Sequence, residues 1–422
     1  MTKIMDDRTV KIIESLFKTY YVKHKHEIYE PPQLKNREFA FQMFKSQGMI
    51  RHLAFETPDE LRKYIVNNIP RHSFYSTAIY ILPSAHDMDE KGWINAEIVF
   101  DIDADHLDTK CRNEHDFWQC LNCGHKDKGK APEVCPKCGS KNIKIFTWVC
   151  AKCLDRAKNE TLKLIEDFLV PDFGINPKNI MVAFSGHRGF HIHVMDEEYM
   201  KLSSEERREL IDYIKALGLK LEILVPKRRK GKEFPGFDVN NPGWRGKIAR
   251  KLYDLLIEFE ERKSEVEGII GKKNAEKLLE NLDRIIVEIM DKPPKWTTLY
   301  RVIGRKNLIE LLKILVKNEK CEVDEKVTID TKRLIRLPGT LHGKTGLPVI
   351  ILGLEDLEDF TLNISLSPFK GKAKIILLEE IPQNLTIFGE NVGGKMKDKK
   401  EVHLPTAIYL SCKGLAEIEE II

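Results

Sequence analysis

The sequence predicts an α/β protein on three observations: helical spacing near the start, period-two alternation between about 49 and 105, and a charged helical block set between two β-rich regions. Val10, Ile13, Phe17 and Tyr20 recur every three to four residues, an amphipathic helix over about 7–22. Pro31 and Pro32 bar its continuation, because proline lacks the backbone donor a helix needs. MIRHLAF, STAIYIL and NAEIVFDID alternate in character and read as strands. After Cys153 a helix carries Leu162, Ile165 and Leu169 on one face, and NIMVAFSGHRGFHIHVM then reads as strand, glycine turn, strand. A capping box of Ser203 and Glu206 opens the helical block, which resumes over 247–291 after the loop VPKRRKGKEFPGFDVNNPGW and is read as an inserted subdomain. Strands return around 327–337 and 348–353, GGKMKDKKE (393–401) reads as a surface loop, and a short amphipathic helix closes the chain.

Composition narrows the function. A length of 422 residues gives a prior of two to three domains. Sixty-nine Lys and Arg against 65 Asp and Glu leave a charge of +4, so contact with a polyanion must come from local basic clusters. No run of about 20 apolar residues occurs, and MTKIMDDRTV lacks the apolar stretch of a signal peptide, so a cytoplasmic protein without a membrane partner is expected. Seven of the nine cysteines lie between Cys111 and Cys153, and their CxxC pairing points to metal binding; Cys321 and Cys412 read as ordinary buried thiols.

The chemistry-bearing segments are three. In EIVFDIDAD, alternation turns Ile98, Phe100 and Ile102 to a core and puts Asp101, Asp103 and Asp105 on the other face. Carboxylates a two-residue step apart, about 6.6–6.8 Å, can converge on hard cations, and two metals about 3.5–4 Å apart would serve an in-line phosphoryl displacement. The turn Ser185-Gly186-His187-Arg188-Gly189-Phe190-His191 offers a hydroxyl, a guanidinium fork and an imidazole, an anion cradle; His193 is read as structural. RLIRLPGTLHGKTG (333–346) approaches a P-loop but is one residue short and is followed by a strand, leaving Arg336, His342 and Lys344 as a basic cluster and Asp324 upstream as a further carboxylate. The basic loop Lys227-Arg228-Arg229-Lys230 with Lys232 is a candidate contact for template backbone.

Cys120, Cys123, Cys135 and Cys138 suit a closed tetrahedral zinc ribbon. Cys150 and Cys153 need two more ligands, with Cys111 and His115 the unused candidates nearby. Thiol redox chemistry is the rival for these cysteines, but a thioredoxin-like βαβ context is lacking.

VFDID, CxxC, SGxRGxH and RLPGTLHGKTG, in this order, resemble the small catalytic subunit of archaeal and eukaryotic DNA primases, from REFAF (37–41) to about 350. The resemblance implies a prim-type mixed-sheet core divided as 1–109, 155–200 and 296–422, a zinc module at 110–154 containing an inserted ribbon, and a helical insertion at 201–295. It implies that Asp101, Asp103 and Asp324, with Asp330 as fallback, hold magnesium or manganese. Ser185, Arg188, His191, Arg336 and His342, with Lys344 as a further contact, would bind the nucleotide, while His187 stands where eukaryotic members carry Arg. Cys111, His115, Cys150 and Cys153 map to the family zinc knuckle. Primer synthesis from ribo- or deoxyribonucleoside triphosphates on single-stranded DNA, beside an iron–sulfur large subunit at the nucleoid, is the activity implied. Rival classes are a noncatalytic zinc-ribbon nucleic-acid binder, a P-loop NTPase and a metal-dependent nuclease.

Overall fold

A computed structural model describes residues 6–46, 48–107, 109–227 and 233–422. Positions 228–232 of the basic loop lie outside the described residues, as does the start of the chain through residue 5. The protein divides into two compact units. The first takes the chain through Lys163 together with Ile175–Arg208 and Glu322–Ile422; the second takes Leu164–Gly174 and Glu209–Cys321.

The first unit is mixed α/β, built on antiparallel pairing. One four-stranded sheet runs in the order Leu334–Arg336, His72–Ser76, Phe39–Gln42, Met49–Leu53. A second runs Ile350–Leu352, Ile180–Phe184, Gly189–Val194, Ile98–Asp103. A three-stranded sheet of Lys399–His403, Lys372–Leu377 and Ala416–Ile421 meets the helices Asp7–Lys23 and Leu404–Cys412. Asp7–Lys23 forms where the periodicity puts it: Asp6 caps it by accepting from Thr9 N at 2.9 Å, and Val10, Ile13, Phe17 and Tyr20 are its buried face. Ile13, Phe17 and Tyr20 of that face share one core with Phe39, Tyr75, Leu341, Ile375 and Ile408. The capping box is also present: Ser203 N donates to Glu206 Oε2 at 2.7 Å and Glu206 N to Ser203 Oγ at 3.3 Å.

Three local expectations are corrected. Between 327 and 337 only Leu334–Arg336 is strand; Glu325–Ile329 is a short helix, because the Asp324 carboxylate accepts from Lys326 N and starts a turn that alternation does not reveal. In 393–401, Lys399 onward belongs to a paired strand, and Gly393 is packed so closely that an added Cβ would stand 2.4 Å from Gln383 Cα. The helix Leu404–Cys412 is buried all round, and the chain closes on the strand Ala416–Ile421.

The second unit has its own core. Gly243–Ile257, Phe259–Ile270, Lys272–Glu280, Leu282–Met290 and Thr297–Glu319 bury Leu252, Phe259, Ile285, Trp296 and Leu312 against one another. Its helices run on to Glu319 because Trp296 and Leu299 to Leu315 supply the apolar face on which the earlier helices pack. No helix of the described residues is long and apolar enough to cross a membrane.

Candidate active site

Strand register puts the acidic segment against the glycine turn. In the pairing of Gly189–Val194 with Ile98–Asp103, His191 stands opposite Asp101 and Gly189 opposite Asp103. His191 Nε2 is 3.7 Å from Asp101 Oδ1. Gly189 permits the approach, since a Cβ there would lie 2.4 Å from Ile102 O, and a backbone atom cannot swing aside. Gly189→Ala is therefore expected to cost about 1–3 kcal/mol of stability; an unchanged melting temperature would show that the strands can part without loss.

The third carboxylate comes from far along the chain. Asp324 N donates to Asp101 O at 3.0 Å, which seats the start of Glu325–Ile329 against the acidic strand. Burial first, then the like charges of Asp103 and Asp324, push the Asp101 carboxyl up to about 7, against the pull of Arg333 and Arg336. Asp330 takes a different place, where its charge acts on Tyr80 and Arg207 and its carboxylate accepts from Lys332 N at 2.9 Å. Asp105 also leaves the group. The strand ends at Asp103, whose Oδ1 accepts from Asp105 N at 3.0 Å, and this turn breaks the alternation and delivers Asp105 to Arg188.

Arg188 is fully buried and surrounded by acids. Its Nε lies 3.7 Å from Asp103 Oδ1 and its Nη1 3.2 Å from Asp116 Oδ1 and 2.9 Å from Trp148 O, with Asp105 as a further partner. Asp116 Oδ1 accepts also from Trp148 N at 2.8 Å and sits 2.9 Å from His115 Nδ1. His115 in turn belongs to a sulfur-rich cluster: its Nε2 is 3.2 Å from Cys153 Sγ, and Cys111 Sγ lies 3.3 Å from Cys153 Sγ and 3.8 Å from Cys150 Sγ. Cys120, which ends the strand Phe117–Cys120, and Cys123, Cys135 and Cys138, outside the strands, form a second cluster with Sγ pairs at 3.6 and 3.7 Å. In each set the four ligand atoms lie within 4.8 Å of one another, so each could hold a metal ion. Cys321 and Cys412 are buried and belong to neither set.

Across from the acids stands a wall of cations and imidazoles. The Gly186 turn, at φ +74°, passes so near His342 that a Cβ would come within 2.8 Å of its Cβ, and the Thr345 hydroxyl donates to Gly186 O at 2.5 Å. His187 stacks on His342 with ring centroids 5.2 Å apart, and His72 meets His342 edge-on at 5.1 Å. Arg336 Nη1 at 2.8 Å and Gly343 N at 3.2 Å both donate to His72 Nδ1, so that nitrogen carries no proton. Burial, then Arg336 and Arg71, lower the His72 pKa to about 2. Burial likewise holds His187, His191 and His342 well below 6.5, as neutral hydrogen-bonding groups. Ser185 is buried at the mouth of the turn, its amide bonded to Gly189 O at 3.0 Å. His193, on the same face of the sheet two residues beyond His191, is 2.8 Å from Glu97 Oε2, which is paired with Arg37, a buried structural network.

Arg71, Arg336, Lys344 and Lys413 converge on this wall, and among the described residues none of them makes an ion pair. Arg71, His72, Asp116 and Lys413 escaped the sequence reading. Asp116 directly follows a candidate ligand, a usable signal; the other three sit in no local pattern.

The profile of the family described as DNA primase small subunit matches residues 146–352. DNA primase small subunit PriS of Hyperthermus butylicus is 32% identical, over 98% of this chain and 98% of the relative. The protein of that name from Saccharolobus solfataricus is 33% identical over 97% and 95%, and that from Methanococcoides burtonii 34% over 98% and 99%. The chain belongs to the DNA primase small subunit family. As a member of that family it is the catalytic subunit of a DNA primase, a nucleotidyltransferase acting in DNA replication. The noncatalytic ribbon and the P-loop NTPase are not supported. For the latter the local structure agrees, since Gly339–Thr345 leads through a Leu341–Pro348 bridge into the strand Ile350–Leu352 and not into a helix.

Proposed function

We propose that this primase small subunit makes primers on single-stranded DNA from nucleoside triphosphates by two-metal nucleotidyl transfer at Asp101, Asp103 and Asp324, on a prim-type core. The observation that carries the reading is that Asp101 lies among the like charges of Asp103 and Asp324, while Arg336 and Lys344, without ion pairs among the described residues, act on the same acids. The donor set fits hard divalent ions: all ligands are carboxylate oxygen, and the upward push on Asp101, from burial first and then from the like charges of Asp103 and Asp324, is one a cation would offset. Magnesium or manganese bound there supplies Lewis-acid activation of a 3′-hydroxyl and offsets charge on the departing pyrophosphate.

The remaining work belongs to the chain. Arg336 and Lys344 bring charge to the triphosphate, while Ser185, His191 and His342 provide neutral hydrogen bonds that do not compete for it. Arg188, held by Asp116 with its Nε 3.7 Å from Asp103 Oδ1, adds positive charge beside the same acids. Catalysis of this kind is mostly positioning and electrostatics, and no dedicated protein base is required. We assign zinc to both sulfur-rich sets, a structural role that Cys₄ and Cys₃His sites suit. Metal analysis is expected to find two zinc ions per chain, and Cys135→Ser one; a single ion in the unaltered protein would remove one of the sites.

The partners of this reading are a primase large subunit, a single-stranded template and nucleoside triphosphates, at the nucleoid. The test is incorporation of labelled nucleotides on an unprimed single-stranded template with magnesium or manganese, with and without the large subunit. Short products that start without a primer support it, and no product under any of these conditions refutes it.

A further inference from the structure

The triphosphate reading leaves Lys413 unused. Lys413 lies in the turn between the buried helix Leu404–Cys412 and the closing strand Ala416–Ile421, and it reaches into the wall of the site. Its Nζ is 3.4 Å from His187 Nε2 and 5.0 Å from the Tyr409 ring centroid. No carboxylate pairs with it among the described residues, while the guanidinium of Arg188 and the ammonium of Lys344 lie close enough to repel it. A partly buried ammonium set among like charges is costly unless an anion joins it. Burial first and these neighbours second push its pKa down to about 7.

The cations are also ordered with respect to the metal-site acids. Arg336 Nη1 donates to His72 Nδ1, His72 meets His342 edge-on, Lys344 N donates to His342 Nδ1, His342 stacks on His187, and His187 Nε2 is 3.4 Å from Lys413 Nζ. An α-phosphorus undergoing attack must sit at the metal-binding carboxylates, so the β- and γ-phosphates lead away from them along the wall. In that chain of contacts Arg336, whose charge acts on Asp101 and Asp103, is one end and Lys413 the other.

We propose that Lys413 binds the γ-phosphate and is the residue by which the site distinguishes a nucleoside triphosphate from a diphosphate. The assignment rests on the triphosphate reading above and gives it an end point. His187, stacked on His342, holds the amine at its Nε2 until the anion arrives. The role is binding and selection; Lys413 moves no proton in this account.

The experiment compares binding of nucleoside tri-, di- and monophosphates of one base, by calorimetry with magnesium, to the full chain and to Lys413→Gln, Lys413→Ala and Lys413→Arg. Gln retains length and packing over Tyr409 without the charge. The unaltered protein is expected to prefer triphosphate to diphosphate, and Lys413→Gln to lose about tenfold or more in triphosphate affinity with diphosphate and monophosphate affinity unchanged. Lys413→Arg should restore most of the preference. Equal losses for all three nucleotides, or none for the triphosphate, would overturn the proposal. If the unaltered chain binds no triphosphate, the broader reading fails instead, an outcome the same titration separates. Should Lys413→Ala unfold, Gln and Arg still decide the matter, since their folding is read independently by circular dichroism.

Discussion

Asp103→Asn is expected to abolish nucleotide incorporation while leaving the fold intact. Asn has the same shape and can still accept from Asp105 N, the 3.0 Å bond that shapes the turn after the strand. Arg188 keeps Asp105 and Asp116 as partners, so the substitution strands no buried charge. What disappears is one of the three anions proposed to hold a hard cation, together with its share of transition-state stabilisation. A loss on the order of 10³-fold or more, about 4 kcal/mol, is expected from removing one such electrostatic group. The measurement is incorporation on an unprimed template beside a thermal melt. Activity within tenfold of the unaltered enzyme, with a normal melt, would defeat the assignment.

Asp116→Ala should act through a different link, stability. The Asp116 side chain is 3% exposed and serves Trp148 N, His115 Nδ1 and the Arg188 guanidinium together. Removing one member of a buried, hydrogen-bonded charge network costs about 3–5 kcal/mol, because the partners left behind are desolvated and only partly compensated. Arg188 would retain Asp105 and Asp103, which are more exposed. Denaturant unfolding of the zinc-loaded protein is expected to show that loss, and incorporation to fall with it as Arg188 loses its anchor. Asp116→Asn, which can still accept from Trp148 N, should do less harm. A variant within 1 kcal/mol of the unaltered protein would mean that the network carries no such energy.

Much of the second sheet was legible because its strands are long enough to show a period. Ile98, Phe100 and Ile102 alternate with Asp101 and Asp103, and SGHRGFH bears its turn in its glycines. The cysteines were legible through spacing, and Cys111 and His115 through being left unused nearby; they reach Cys150 and Cys153 only once the strands between have folded back. Illegibility has equally physical causes. Glu325–Ile329 is too short to show helical periodicity, and a single capping carboxylate decides its conformation. Asp105 departs from the acidic face because a turn bond overrides alternation. Arg71, His72 and Lys413 become site residues only through tertiary packing of three distant segments, and single residues leave no pattern to read.

The bond from Asp324 N to Asp101 O has a consequence for how the enzyme comes into being. More than two hundred residues, including the whole of Glu209–Cys321, are translated after Asp101 and Asp103 and before Asp324. At roughly 5–20 residues per second a ribosome needs on the order of ten seconds or more to cover that distance. Throughout that interval the nascent chain holds two of the three acids proposed for the metal site, and Lys413 follows later still. Nucleotide chemistry is thus withheld from the growing polypeptide until its helical unit has been made and the chain has returned to the sheet it left.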